Sequence, residues 1–226
     1  PVRHSRISGI GGYRPKRVVP NAEIVDLIDS SDEWIRERSG IIERRFAGPD
    51  EGIIEMTEWA AQPALEMAGI EGKDLDAVIM ATVTWPYQTP AAAPLLAERL
   101  GSKGAAFDIS AACAGYCHGI ALASDMVRTS QADNVLVLGV ERLSDFTDPT
   151  DRGTAFIFGD GAGAAVVGPA DTPGIGPTVW GSDGSQWQTI AQAQPWTELR
   201  RQWSKEAASG EPLSWPAIGM AGQSVF

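Results

Sequence analysis

The sequence is poor in the residues that carry most acid–base and metal chemistry: 226 residues include only two His and two Cys. So few cysteines argue against a disulfide scaffold, and no spacing of four zinc ligands is present. Positive charge is scarce too, with 18 Lys and Arg against 29 Asp and Glu and a net charge of −11. That balance argues against nucleic acid as a partner, because phosphates demand a basic surface. No apolar run is long enough to span a bilayer, and the first residues, Pro1-Val2-Arg3-His4-Ser5, have no apolar signal core. The expectation is a cytoplasmic protein with no membrane contact and no metal.

What is present is ordinary for a globular chain: 43% hydrophobic and 21% charged residues. Buried strands are expected at Asp76–Thr84, Ala105–Ile109 and Val135–Glu141, where β-branched and apolar residues run together. Helices are expected over about 55–68, with Pro63 inside as a kink, and over 116–130. Gly9, Gly11 and Gly12 read as a loop or turn closing a short strand, since no helix opens after them. Asn21 is expected to cap a short helix. Ser30 and Glu33 read as the capping box of a second helix, which carries Trp34, Ile35 and Arg38 and stops at Gly40. Thr89-Pro90 reads as a third helix start, with Thr89 as N-cap. Strands alternating with helices define an α/β fold. The composition changes at Pro169, so the expected division is a first domain over 1–168 and, over 169–226, a flap of short irregular elements.

Chemistry concentrates in Phe107-Asp-Ile-Ser-Ala-Ala-Cys-Ala-Gly-Tyr-Cys-His-Gly119. A strand ends, small residues make a tight turn around Cys113, and a helix begins. That places the sulfur where free N–H groups favour a negative charge by roughly 0.3–1 kcal/mol. A nucleophilic Cys113 is one reading; a buried core thiol is the other. Cys117, one turn further on, reads as packing, and His4 and His118 as satisfied histidines with no catalytic part. Trp34 and Arg38 are four apart and share a helix face, an aromatic plane beside a guanidinium that suits a flat phosphorylated ligand. Arg36, Arg38, Arg44 and Arg45 form either a local basic patch or pairs with Glu33, Glu37 and Glu43.

Three segments carry a resemblance: Asp29-Ser-Ser-Asp-Glu-Trp-Ile35 with Arg38, Gly40 and Arg44-Arg45; Asp108 to Gly115; and Asp148 to Gly163. They are similar to the β-ketoacyl-acyl carrier protein synthase III family of the thiolase-like superfamily. The resemblance implies a thiolase-like fold, a duplicated α/β unit in five αβαβα layers, of which this chain supplies mainly the N-terminal half, with 169–226 as the flap and the start of the C-terminal half. It implies that Cys113 takes an acyl group from acyl-CoA and condenses it with malonyl-acyl carrier protein to start a fatty-acid chain. Trp34 would stack on the CoA adenine, with Arg38 and Arg152 near its phosphates. Leu143, Phe158 and Gly222 would lie along the acyl and pantetheine channel. Thr89 stands where relatives place a bulky aromatic, and its small size would admit primers larger than acetyl. Acyl-CoA, acyl carrier protein and a second copy of the chain are the implied partners. No cofactor is implied, because coenzyme A enters as the thioester substrate. The family's catalytic His and Asn lie in a His-Gln-Ala-Asn motif and a later Asn, neither of which occurs in these 226 residues. Two other functions fit the same residues: a cysteine-dependent thioester hydrolase, although Ala-Cys-Ala-Gly lacks the first glycine of an elbow motif, and a non-catalytic subunit of a condensing pair.

Overall fold

The computed structural model describes residues 3–209 and 217–221. The chain forms two compact units, each built from separate segments. The first takes the chain up to Val18, then Arg45–Arg142 and Gly159–Val179; the second takes Val19–Arg44, Leu143–Phe158 and the chain from Trp180 onward.

The first unit is organised on a five-stranded mixed sheet. Its strands are β1 (His4–Tyr13), β4 (Ala77–Ala81), β5 (Ala105–Ile109), β6 (Val135–Arg142) and β7 (Asp160–Ala170), in the order β1-β7-β6-β4-β5. The β4 strand is parallel to β5 and β6, while β7 is antiparallel to β6 and β1. Two short strands, β2 (Arg17–Pro20) and β3 (Glu43–Phe46), lie where the chain passes between the units.

The period-two alternation of side chains sorts the core into two layers. Val78, Met80, Leu136, Leu138 and Val140 face α2 (Ile53–Ala68) and α3 (Ala93–Leu100). Ala77, Ile79, Val135 and Val137 face α4 (Gly115–Arg128), where Ala123 and Val127 meet them. All five residues of β4 are buried, as a strand covered on both faces requires.

Several local expectations change. The glycines near the N-terminus are not a turn: β1 runs through them to Tyr13. Their small size serves packing, because a Cβ on Gly9 or Gly11 would fall on the backbone oxygens of Ala64 or Ala60 in α2. Pro63 also sits at this contact, facing Gly11, inside a helix that continues to its Gly69 C-cap. Thr89 caps nothing. The α3 helix begins three residues after Pro90, and the N–H groups of Ala92 and Ala93 are met by the carboxylate of Asp108, both at 2.8 Å. Cys113 lies in a 3-10 turn, Ala112–Ala114, that leads into α4.

In the second unit, α1 (Asp32–Ser39) is capped by Ser31, whose hydroxyl accepts from Trp34 N–H at 3.1 Å; the expected box from Ser30 is one residue out. Asn21 does not cap. It opens a 3-10 turn, Asn21–Glu23, and its side chain bonds Asp32, Ile41 and Arg44. Arg44 leaves the expected surface patch altogether. It is 6% exposed and donates to Val19 O, Asn21 Oδ1 and Phe156 O at 3.0, 2.6 and 3.0 Å. The later part of this unit holds the hairpin of β8 (Ile190–Gln192) and β9 (Ile218–Met220). It also holds α5 (Trp196–Ser209), 14 residues long and more regular than the composition suggests. No helix of the described residues is long and apolar enough to cross a membrane.

Candidate active site

The parallel strands β4 and β5 end together at Ala81 and Ile109, beside Gly139 of β6, and such C-terminal ends are where open α/β sheets place their ligands. There β5 hands the chain to the turn bearing Cys113. Ala112 stands at φ 45°, in the left-handed region, although it carries a Cβ. That conformation costs on the order of 1–2 kcal/mol for a residue other than glycine. Cys113 is exposed, which overturns the core-thiol reading. Cys117 is exposed as well, so its assignment to packing is corrected.

Glycines bring α4, the helix that follows Cys113, close to the sheet. A Cβ on Gly115 would stand 3.1 Å from the Cβ of Ala81, and one on Gly119 would stand 2.7 Å from Val137 Cγ1. A cavity of 330 Å³ opens beside Cys113, lined also by Ala81, Tyr116, Gly139, Glu141, Gly159, Gly161, Ala162 and Gly163. Its walls are mostly glycine and alanine, so the space is made by missing side chains. The Tyr116 ring rests against Gly139, where a Cβ would meet Cδ2 at 3.2 Å. Burial raises the Tyr116 phenol above its ordinary pKa, with Cys117 adding to the shift.

The other polar side chain in the cavity wall is Glu141. Its Oε1 accepts from Val83 N–H at 2.9 Å and its Oε2 from the Thr84 hydroxyl at 2.6 Å. Burial pushes its carboxyl above the usual value, and the bonds from Thr84, Val83 and Thr82 oppose that rise. Among the described residues no group of three His, Cys, Asp or Glu side chains could hold a metal ion.

In the second unit the structure brings Trp34, Arg38 and Arg152 together. The guanidinium carbons of Arg152 and Arg38 lie 5.0 and 5.8 Å from the Trp34 ring centroid, within cation–π range. Phe156 meets the same indole edge-on at 5.3 Å. Leu143 and Phe158 are half-buried in this unit, and the Leu143 carbonyl accepts from the Thr147 hydroxyl at 2.8 Å. Thr89 is exposed on the loop between β4 and α3, and it is not among the residues that line the Cys113 cavity. Gly222 lies outside the described residues.

Sequence reasoning missed Tyr116, Gly139 and Glu141 as parts of this site. A signal existed for Glu141: an acidic residue ending the apolar run Val135–Val140, where a parallel strand meets its loop.

This geometry is that of the thiolase-like fold, and comparison with known proteins bears it out. Residues 107–184 match the family described as 3-oxoacyl-[acyl-carrier-protein] synthase III. The β-ketoacyl-[acyl-carrier-protein] synthase III of Kocuria rhizophila is 47% identical over 241 residues, covering 100% of this chain and 68% of the relative. The Streptomyces glaucescens protein of the same name is 53% identical, covering 99% of this chain and 65% of the relative. Among solved structures, the priming β-ketosynthase of the R1128 polyketide pathway superposes with a TM-score of 0.91 at 43% identity, covering 99% of this chain and 65% of that one. The chain belongs to the β-ketoacyl-[acyl-carrier-protein] synthase III family. It spans about two thirds of the length of these relatives, between 65% and 68%.

Proposed function

We propose that this chain carries the acyl-accepting part of a condensing acyltransferase that starts fatty-acid or polyketide chains. The Cys113 thiolate attacks the thioester carbonyl of acyl-CoA, the carbon–sulfur bond to coenzyme A breaks, and CoA leaves as a thiol. The acyl group then passes from Cys113 to malonyl-acyl carrier protein. Carbon dioxide is lost, a carbon–carbon bond forms, and the cysteine is released. The single observation that carries this reading is the exposed Cys113 on a strained strand-to-helix turn, at the rim of a cavity walled by small residues.

In this reading Trp34, Arg38 and Arg152 receive the adenine and phosphates of CoA: an indole face for stacking and two fixed positive charges for phosphate. Leu143, Phe158, Thr89 and Gly222 belong to the acyl and pantetheine path. Acyl carrier protein and a second copy of the chain are the partners, the setting is the cytoplasm, and no cofactor acts beyond the CoA thioester.

The test is incubation with radiolabelled acetyl-CoA, followed by peptide mapping. Label on the peptide bearing Cys113, lost in Cys113→Ala, is the expected result. Absence of label, or label that persists in the variant, would overturn the proposal.

A further inference from the structure

Among the described residues no carboxylate bonds the buried guanidinium of Arg44; its acceptors are three neutral oxygens from three stretches of the second unit. Nη1 donates to Val19 O at 3.0 Å, and Nη2 donates both to Asn21 Oδ1 at 2.6 Å and to Phe156 O at 3.0 Å. Burial lowers its pKa, yet a guanidinium stays charged at neutral pH. The charge is answered at one remove. Asn21, 1% exposed, turns its Nδ2 to Asp32 Oδ1 at 2.7 Å and to Ile41 O at 2.8 Å. Asp32 is the first residue of α1. The Asn21 bond above all, against the effect of burial and with help from Arg36, holds the Asp32 carboxyl below the ordinary carboxylate range.

The two ends of this relay are the two chain segments that meet at Trp34. On one side, α1 carries Trp34 and Arg38. On the other, the turns over 151–157 carry Arg152 and Phe156, four residues apart. Those turns are closed by Ala155 N–H on Asp151 O at 2.9 Å and Ile157 N–H on Thr154 O at 3.1 Å. Arg152 and Phe156 both reach the Trp34 indole, at 5.0 and 5.3 Å. Phe156 is therefore held twice, its carbonyl by Arg44 and its ring by the indole. One nitrogen, Arg44 Nη2, spans from the Arg152 segment to the side chain that grips α1. Core filling does not explain such a residue, because an apolar side chain of similar volume is often as stabilising as a buried charge, or more so. A planar guanidinium does what an apolar side chain cannot: its fixed donors set the spacing of the oxygens around it.

We infer that Arg44 is a positioning residue: with Asn21 it holds α1 and the Arg152 turn at the spacing that makes Trp34, Arg38 and Arg152 one nucleotide platform. The inference rests on the CoA-binding reading above, and its test separates the two. Acylation of Cys113 in the full chain is followed by intact mass at varied acetyl-CoA. In parallel it is followed with S-acetyl-N-acetylcysteamine, a thioester without a nucleotide. The variants are Arg44→Met, Arg44→Lys and Asn21→Asp, with Trp34→Ala as control. The Trp34 indole N–H resonance, assigned by its absence from Trp34→Ala, reports on the platform with no CoA present.

Arg44→Met should raise the half-saturating acetyl-CoA concentration about tenfold and leave the maximal rate within about twofold, since lost ground-state binding moves the first and not the second. Acylation by S-acetyl-N-acetylcysteamine should stay within about twofold of wild type, because that thioester never meets the platform. The Trp34 resonance should shift. Arg44→Lys, which keeps the charge but loses the planar fork, should fall between wild type and Arg44→Met. Asn21→Asp keeps an acceptor for Arg44 but sets a second carboxylate against Asp32. It should therefore break the relay at α1 and raise half-saturation in the same direction, and it carries the test if Arg44→Met does not fold. Half-saturation and resonance both unchanged in Arg44→Met and Asn21→Asp would overturn the inference. So would an equal loss with both thioesters, the mark of a general structural defect. A half-saturation that Trp34→Ala leaves unchanged would sink the CoA-binding reading instead, while the resonance still decides whether Arg44 places the indole.

Discussion

The side chain of Tyr116 lies against the backbone of Gly139, so closely that a Cβ there would stand 3.2, 3.5 and 3.6 Å from its Cδ2, Cβ and Cγ. The two residues face each other across α4 and β6 at the edge of the Cys113 cavity. Gly139→Ala should push the ring toward Cys113 by a few tenths of an ångström. We expect alkylation of Cys113 by a bulky maleimide to slow about threefold to tenfold, because small displacements at a reacting group are costly. Gly139→Ala combined with Tyr116→Ala should recover the rate. No recovery in the double variant would mean that the contact does not govern access.

The second close approach on this helix concerns stability. Gly119→Ala gains about 0.8–1 kcal/mol of helix propensity but places a methyl 2.7 Å from Val137 Cγ1. Overpacking of this kind costs about 1–3 kcal/mol, so the net effect should be a loss of about 1 kcal/mol, read as a lower urea midpoint. Val137→Ala added to Gly119→Ala removes the offending carbon, and the pair should be less destabilising than the sum of the single changes. Simple additivity would count against this account.

Two thiols are exposed, and they should not behave alike. A small thiol reagent should reach both, whereas acetyl-CoA should label Cys113 only. Cys117→Ser is expected to keep acyl labelling within about twofold of wild type, since Cys117 is outside the cavity lining. Equal labelling of both cysteines would show that exposure, not placement, decides the reaction.

Trp34 is the shared platform for Arg38 and Arg152. At about 1–3 kcal/mol for a base stacked on an aromatic ring, Trp34→Ala should weaken CoA binding about fivefold to a hundredfold by titration calorimetry. Arg152→Ala should cost less than Trp34→Ala, because it leaves the indole free to stack. The opposite ranking would place the nucleotide elsewhere.

Away from the site, Tyr13 donates to Glu51 Oε1 at 2.6 Å, and this bond to a carboxylate pushes its phenol up to about 12. The folded state therefore holds the phenolic proton longer than the unfolded chain does. The stabilisation is complete below pH 10 and is lost as pH rises through the window up to about 12. Tyr13→Phe should cost about 1 kcal/mol at neutral pH, and its deficit relative to wild type should close across that window. A deficit that persists at the top of the window would contradict the assignment. On the acid side the same bond, with N–H groups from Gly48 and Lys16, holds Glu51 below the ordinary carboxylate range.

Much of this was legible because it is local. The apolar runs of β4 and β6, the Gly69 stop of α2 and the strand-to-helix turn at Cys113 follow from neighbours in sequence. Trp34 and Arg38 meet because a helix brings residues four apart together. What escaped was carried by distant partners. Thr89-Pro90 has the local look of a helix start, but Asp108, from another strand, supplies the cap further on. Ser30 and Ser31 are equivalent on paper, and only the geometry of α1 selects Ser31. Arg44 resembles its surface neighbours in sequence, yet three oxygens bury it. Gly9 and Gly11 look like a turn because glycine favours turns, but the helix pressed against them is what requires their size.

Ala112 combines two constraints that are usually separate: a left-handed backbone with a side chain in the cavity wall. A β-branched replacement would meet a steric penalty in its own torsions and also fill the chamber, so variation at that position is confined to the smallest residues. Glycine would relieve the torsion while freeing the turn to wander. The alanine thus holds the sulfur's aim at a modest energetic expense, and attempts to stabilise the protein by relaxing this residue should loosen the aim.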